Sequence, residues 1–138
     1  MIVDATGLVL GRLASVTATH LLKGEDVRIV NAEKAVITGS RDSIYAEYGA
    51  TRTRGSREGG PFFPRRPDMI IKRTVRGMLP HKKARGRDAL SRLRVYVGVP
   101  REFASEQLEQ PQNAKMREAG TINYIELGDL SKRLGANF

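Results

Sequence analysis

At 138 residues, with 40% hydrophobic and 28% charged side chains, the chain has the length of one domain and enough apolar material for a packed core, which excludes wholesale disorder. It contains no cysteine, so disulfides, thiolate metal sites, iron–sulfur clusters and cysteine nucleophiles are excluded together. The net charge of +9 is confined to one third of the sequence: residues 51–95 hold 14 Lys/Arg against 3 Asp/Glu, and the remainder is slightly acidic. A one-sign field repels itself, so this concentration points to a polyanionic partner.

In chain order, Met1-Ile2-Val3-Asp4 reads as a short buried strand, followed by a turn at Ala5-Thr6-Gly7 and a helix from about Gly11 to Lys23. Ala14, Ala18, Leu21 and Leu22 are expected on its core face, with Gly24 just past its end. Val27 to Asn31 forms a second strand. Strand, helix and strand within about thirty residues make a βαβ unit with parallel strands. Ala35 to Gly39 is a third extended run, whose partner the sequence leaves open, since three intervening residues are too few for a helical crossover. Ser40 is placed to cap a helix carrying Ile44, Tyr45 and Tyr48.

From Gly49 to Pro67 the composition turns to Gly, Pro and Arg, which predicts a long basic loop, mobile in the free protein. Pro67-Asp68 then opens a helix with Ile71, Val75, Met78 and Leu79 on its apolar face, Lys72, Arg73 and Arg76 on the opposite one, and Pro80 as its stop. His81 to Arg87 reads as a basic loop. A helix with Ala89, Leu90 and Leu93 leads into a strand at Val95-Tyr96-Val97, Gly98 to Gln112 is largely irregular, and a last helix spans about Asp129 to Leu134.

The basic segment is the strongest functional signal. The chain holds 17 Arg to 7 Lys, and a planar guanidinium grips phosphate with two hydrogen bonds or stacks on a base. Phe62 and Phe63, framed by Pro61 and Pro64, are better explained by pinning the loop to its own domain than by stacking on RNA. Gly7-Leu8-Val9-Leu10-Gly11-Arg12 follows a strand and opens a helix, as a nucleotide site does, but it has neither the P-loop nor the dinucleotide spacing. Glu33 stands alone where a ribose-binding acid would sit. His20 and His81 are far apart with no carboxylate cluster, so no metal is expected. No run approaches the roughly 18 apolar residues of a membrane span, and the N-terminus lacks a signal-peptide pattern, so a cytoplasmic protein without membrane contact is expected.

Several stretches together resemble a known family. Val3-Asp4-Ala5, Leu10 to Ser15, Val30 to Lys34, Ile37-Thr38-Gly39, Gly60-Pro61-Phe62-Phe63, Arg73 to Lys82 and Arg85-Gly86 are similar to the universal large-subunit ribosomal protein thirteen in its archaeal and eukaryotic form. The likeness spans residues 1 to about 100 and weakens from Arg101 onward. It implies a three-layer α/β/α domain around a small, mainly parallel sheet. It also implies a structural constituent, not an enzyme, without cofactor, that binds large-subunit ribosomal RNA, meets neighbouring ribosomal proteins and supports subunit assembly, as a monomer within the ribosome. The matched motif falls on the cationic helix and turn. Arg73, Arg76, His81, Lys82, Lys83, Arg85 and Arg87 are therefore the leading candidates for RNA contact, followed by Arg52, Arg54, Arg57, Arg65 and Arg66, with Lys72 on the same cationic helix face and Arg12 reaching out from the first helix. The alternatives are a small nucleotide-dependent α/β enzyme and a regulator that binds messenger RNA outside the ribosome.

Overall fold

The computed structural model describes residues 1–53, 63–116 and 123–138. Strand β1 (Ile2–Asp4), helix α1 (Leu10–Leu22) and strand β2 (Val27–Val30) form the expected βαβ unit, with β1 and β2 parallel and Val3 opposite Ile29. Leu10, Leu13, Ala14, Thr17, Ala18 and Leu21 are the buried face of α1, while Leu22 is half-buried at its edge. The end of α1 is set by glycine. Gly24 adopts φ +93°, which lets its own N–H reach the Leu21 carbonyl (3.1 Å) and the Glu25 N–H reach that of His20 (3.2 Å), satisfying two carbonyls that the helix leaves open.

A short 3-10 turn (Ala32–Lys34) leads to β3 (Val36–Thr38), and helix α2 (Arg41–Thr53) follows, the Ser40 hydroxyl accepting the Ser43 N–H at 3.2 Å. Helix α3 (Pro67–Gly77), helix α4 (Ala84–Ser91) and strand β4 (Leu93–Val95) come next, with β4 parallel to β2 on the side away from β1. The open pairing of the third extended run is resolved by a strand the sequence reading did not anticipate: β3 is antiparallel to β5 (Tyr124–Glu126), which runs directly into helix α5 (Leu127–Arg133). Residues Glu109 and Gln110 lie along the free edge of β1. The Asp4 N–H donates to the Glu109 carbonyl and the Glu109 N–H to that of Ile2, so part of the region expected to be irregular extends the sheet. The class is α/β around a small, mostly parallel sheet.

Several boundaries differ from expectation. The predicted loop from Gly49 begins too early, because α2 runs on to Thr53, and residues 54–62 lie outside the described residues. The expected mobility of that loop therefore falls there too. Pro80 does not end α3: the helix stops at Gly77, and Met78, which helical spacing alone would turn inward, is 44% exposed. Ala84 to Arg87 form the first turn of α4 and not a loop, and Leu93 belongs to β4.

The core joins α1, α3 and the sheet through Leu8, Leu13, Leu21, Ile29, Ile70, Ile71 and Leu93, all fully buried. Each such side chain contributes roughly 1.5–3 kcal/mol by leaving water. Where the parallel strands end, the Asp4 carboxylate accepts hydrogen bonds from the Thr6 N–H (3.0 Å), the Thr6 hydroxyl (2.7 Å) and the Asn31 amide (3.0 Å). Asn31 holds the left-handed conformation (φ +56°) that brings its amide there. Burial alone would raise the Asp4 carboxyl, but these donors outweigh it and hold it below its ordinary value. Stability from this cluster is therefore present above the carboxyl's unfolded value and is lost as pH falls through the lower folded one. Asp4→Asn is expected to cost about 1 kcal/mol at neutral pH, because donors to a charged acceptor are then met by a neutral one. In denaturant unfolding, the gap between the two proteins should close below about pH 4; a gap constant from pH 7 to pH 3 would contradict this account.

Candidate nucleic-acid interface

Helix α3 sorts its residues by helical spacing. Pro67, Ile70, Ile71 and Val75 are buried against α1 and the sheet, which leaves Met69, Lys72, Arg73 and Arg76 as one stripe at positions i, i+3, i+4 and i+7 on the other side. Arg73 and Arg76 are exposed and Lys72 is half-buried. Among the described residues the only ion pairs are His20 with Glu25 and Arg66 with Asp68, so none of the three cations on this stripe is neutralised by a carboxylate. Their charge is available to a partner.

Arg73 is nevertheless held in place. Its guanidinium lies 5.2 Å from the centre of the Phe63 ring, and Phe63 in turn meets Tyr48 edge-on at 5.7 Å. Phe63 thus pins the chain to α2 and α3, as the packing reading expects. Phe62 lies outside the described residues.

After α3 the chain turns through Leu79 to Lys83 into α4. The His81 N–H donates to the Leu79 carbonyl, the Lys83 N–H to that of Pro80, and the Arg87 guanidinium to that of Lys82 at 3.2 Å. Gly86 explains how the turn and helix sit so close: a Cβ at this position would lie 2.0 Å from the Pro80 carbonyl oxygen and 2.8 Å from the His81 nitrogen. With that contact made, Lys82, Lys83, Arg85 and Arg87 are exposed around the turn and the start of α4, and His81 is half-buried.

The other predicted cations are more scattered. Arg66 precedes α3 and approaches Asp68 at 3.4 Å without hydrogen-bond alignment, and Arg65 is exposed near Gly135. Arg52 is half-buried in the last turn of α2, while Arg54 and Arg57 lie outside the described residues. Arg12 is exposed on the first turn of α1. Two further arginines of the basic segment serve the fold. Arg92 donates to the Leu21 carbonyl at the end of α1 (2.6 Å), and Arg94 to the carbonyls of Ser91 and Leu93.

The turn considered as a nucleotide site is covered by the chain itself. The Val9 N–H donates to the Ala114 carbonyl and the Met116 N–H to that of Gly7, with Leu8 paired to Lys115. Glu33 accepts the Gly98 N–H at 3.0 Å and so ties two loops together. Among the described residues no cluster of His, Asp and Glu could hold a metal ion, and no helix is long and apolar enough to cross a membrane.

The sequence reading missed Met69, Pro64 and Leu90, which with Lys72, Arg73 and Arg76 line a cleft of about 250 Å³ beside α3. Met69 was legible from its spacing on the cationic stripe. Pro64 and Leu90 come from other elements and carried no such signal.

The chain is similar to known proteins along its whole length. Residues 1–102 match the Ribosomal protein L13 family. The chain is 57% identical over 138 residues to the large ribosomal subunit protein uL13 of Methanosarcina barkeri, covering 99% of each chain. It is 53% identical over 137 residues to that of Methanococcoides burtonii, again covering 99% of each. To that of Archaeoglobus fulgidus it is 49% identical over 135 residues, covering 97% of this chain and 86% of the relative. The likeness to these archaeal proteins extends through the C-terminal part, where the motifs alone gave little. With a family match over most of its length and relatives aligned from end to end, the chain belongs to the ribosomal protein L13 family.

Proposed function

We propose that the chain is a structural constituent of the large ribosomal subunit in the cytoplasm, that it binds large-subunit ribosomal RNA through its cationic face, and that it thereby supports subunit assembly. Membership of the family carries the ribosomal role and makes the chain a component and not an enzyme. The observation that carries the RNA contact is the stripe of Lys72, Arg73 and Arg76, which meets no carboxylate among the described residues, continued by Lys82, Lys83, Arg85 and Arg87 at the following turn. Phosphates attracted to such a face release their counterions, and arginines fork onto phosphate oxygens in a fixed geometry. Arg12, Arg52, Arg54, Arg57, Arg65, Arg66 and His81 are assigned a secondary share of the contacts. Neighbouring ribosomal proteins would meet the remaining surface, with one copy of the chain per subunit.

The test is binding of the purified chain to large-subunit ribosomal RNA and to an unrelated RNA of equal length at several salt concentrations. The expected result is tighter binding to the ribosomal RNA by at least about a thousandfold at near-physiological salt, the lower end of what specific nucleic-acid complexes show. Equal, weak binding to both RNAs would reduce the cationic face to general electrostatics and overturn the proposal.

A further inference from the structure

The cleft beside α3 has an uneven chemistry. Its lining sets Pro64, Met69 and Leu90 beside Lys72, Arg73 and Arg76, with no carboxylate among the described lining residues. Met69 is 47% exposed although it lies on a stripe whose other members are cations. A surface that only gripped phosphates would have no use for apolar side chains lining a cleft beside its charges. The volume of about 250 Å³ falls below the usual range for drug-sized ligands, about 300–1,000 Å³, and suits a single flat ring system. Arg73 is held on the Phe63 ring before any partner arrives, so one of the cations lining the cleft is already in place.

We propose that this cleft receives one unpaired nucleobase of the bound RNA: Met69, Pro64 and Leu90 take the ring, and Lys72, Arg73 and Arg76 take the phosphates of that nucleotide. The inference rests on the RNA-binding reading above and adds what is bound at this point, a base turned out of its helix instead of a stretch of duplex. Lys72 and Arg73 stand one helical turn from Arg76, about 5 Å along α3, so the cleft offers two cationic positions to the phosphates of the nucleotide that enters it. Ring contact of this kind is tolerant of sequence but demands an unstacked base, as is general where proteins read single-stranded RNA. Charge complementarity selects RNA over a basic or neutral protein segment, since the described lining residues include three cations and no acid.

The test uses the full chain carrying a photoreactive diazirine analogue of methionine in place of Met69, bound to purified large-subunit ribosomal RNA and, separately, assembled into large subunits. The expected result is attachment to the base of one nucleotide that is unpaired in the RNA. In parallel, Met69→Ser should weaken binding roughly tenfold, as loss of a base contact does, while the salt slope stays as in the unmodified chain because no phosphate contact is removed. Attachment to another ribosomal protein, to this chain's own residues or to paired nucleotides would overturn the base pocket, as would no attachment. If selective, salt-dependent binding persists in those cases, the RNA-binding reading stands without the pocket. If selective binding is itself missing, both fall.

Discussion

Gly86→Ala is expected to destabilise the chain by about 3 kcal/mol, the upper end of the cost of overpacking, with a fall in Tm of roughly 10 °C. The reason is geometric: the added carbon would lie 2.0 Å from the Pro80 oxygen and 2.2 Å from its carbonyl carbon, and both are backbone atoms that cannot swing aside. Alanine is otherwise the better helix former, by about 1 kcal/mol, so propensity and packing predict opposite signs here. Gly11→Ala isolates the first effect. Gly11 is exposed in the first turn of α1 with nothing near its would-be Cβ, and its replacement should stabilise by about 0.5–1 kcal/mol. Thermal unfolding of both variants decides the matter, and a Gly86→Ala protein as stable as the unmodified chain would show that the Pro80–Gly86 contact is not a constraint. RNA affinity should fall with it, since this contact sets the turn that presents Lys82, Lys83, Arg85 and Arg87.

This contact also shows where a sequence stops being informative. The βαβ unit was legible because its signals are local: alternating apolar runs, alanines at helical spacing and a glycine where the helix must end. The cationic side of α3 was legible for the same reason, since Ile71 and Val75 fix the inner face and Lys72, Arg73 and Arg76 must then point away. Gly86 was visible only as part of a motif. Its physical role depends on Pro80, six residues earlier, folding back against it. Strand β5 escaped notice because three residues, Tyr124–Glu126, carry almost no periodicity and acquire their identity by pairing with β3, more than eighty residues away. The loop that began too early at Gly49 reflects composition outweighing context, for α2 continues through a glycine and an arginine to Thr53. Met78 went astray because spacing was carried beyond the end of the helix. The cleft beside α3 joins Pro64, Met69 and Leu90 from three parts of the chain, and only the fold brings them together.

The largest functional effect is expected from Arg73→Ala/Arg76→Ala. Both side chains are exposed, and among the described residues neither meets a carboxylate. Their removal should cost the fold less than about 1 kcal/mol, chiefly the contact of Arg73 with Phe63. In the complex each would make a charge-assisted contact with phosphate, so losing both should weaken binding roughly a hundredfold at moderate salt. Each phosphate contact also contributes about 0.7–0.9 to the slope of log affinity against log salt, which gives the measurement a second, independent coordinate. Binding of the unmodified and doubly substituted chains to large-subunit ribosomal RNA, measured across a salt series, therefore tests the central claim most directly. The account predicts a salt slope shallower by roughly 1.4–1.8 in the variant, with thermal stability nearly unchanged; parallel slopes and equal affinities would contradict it and remove α3 from the RNA interface.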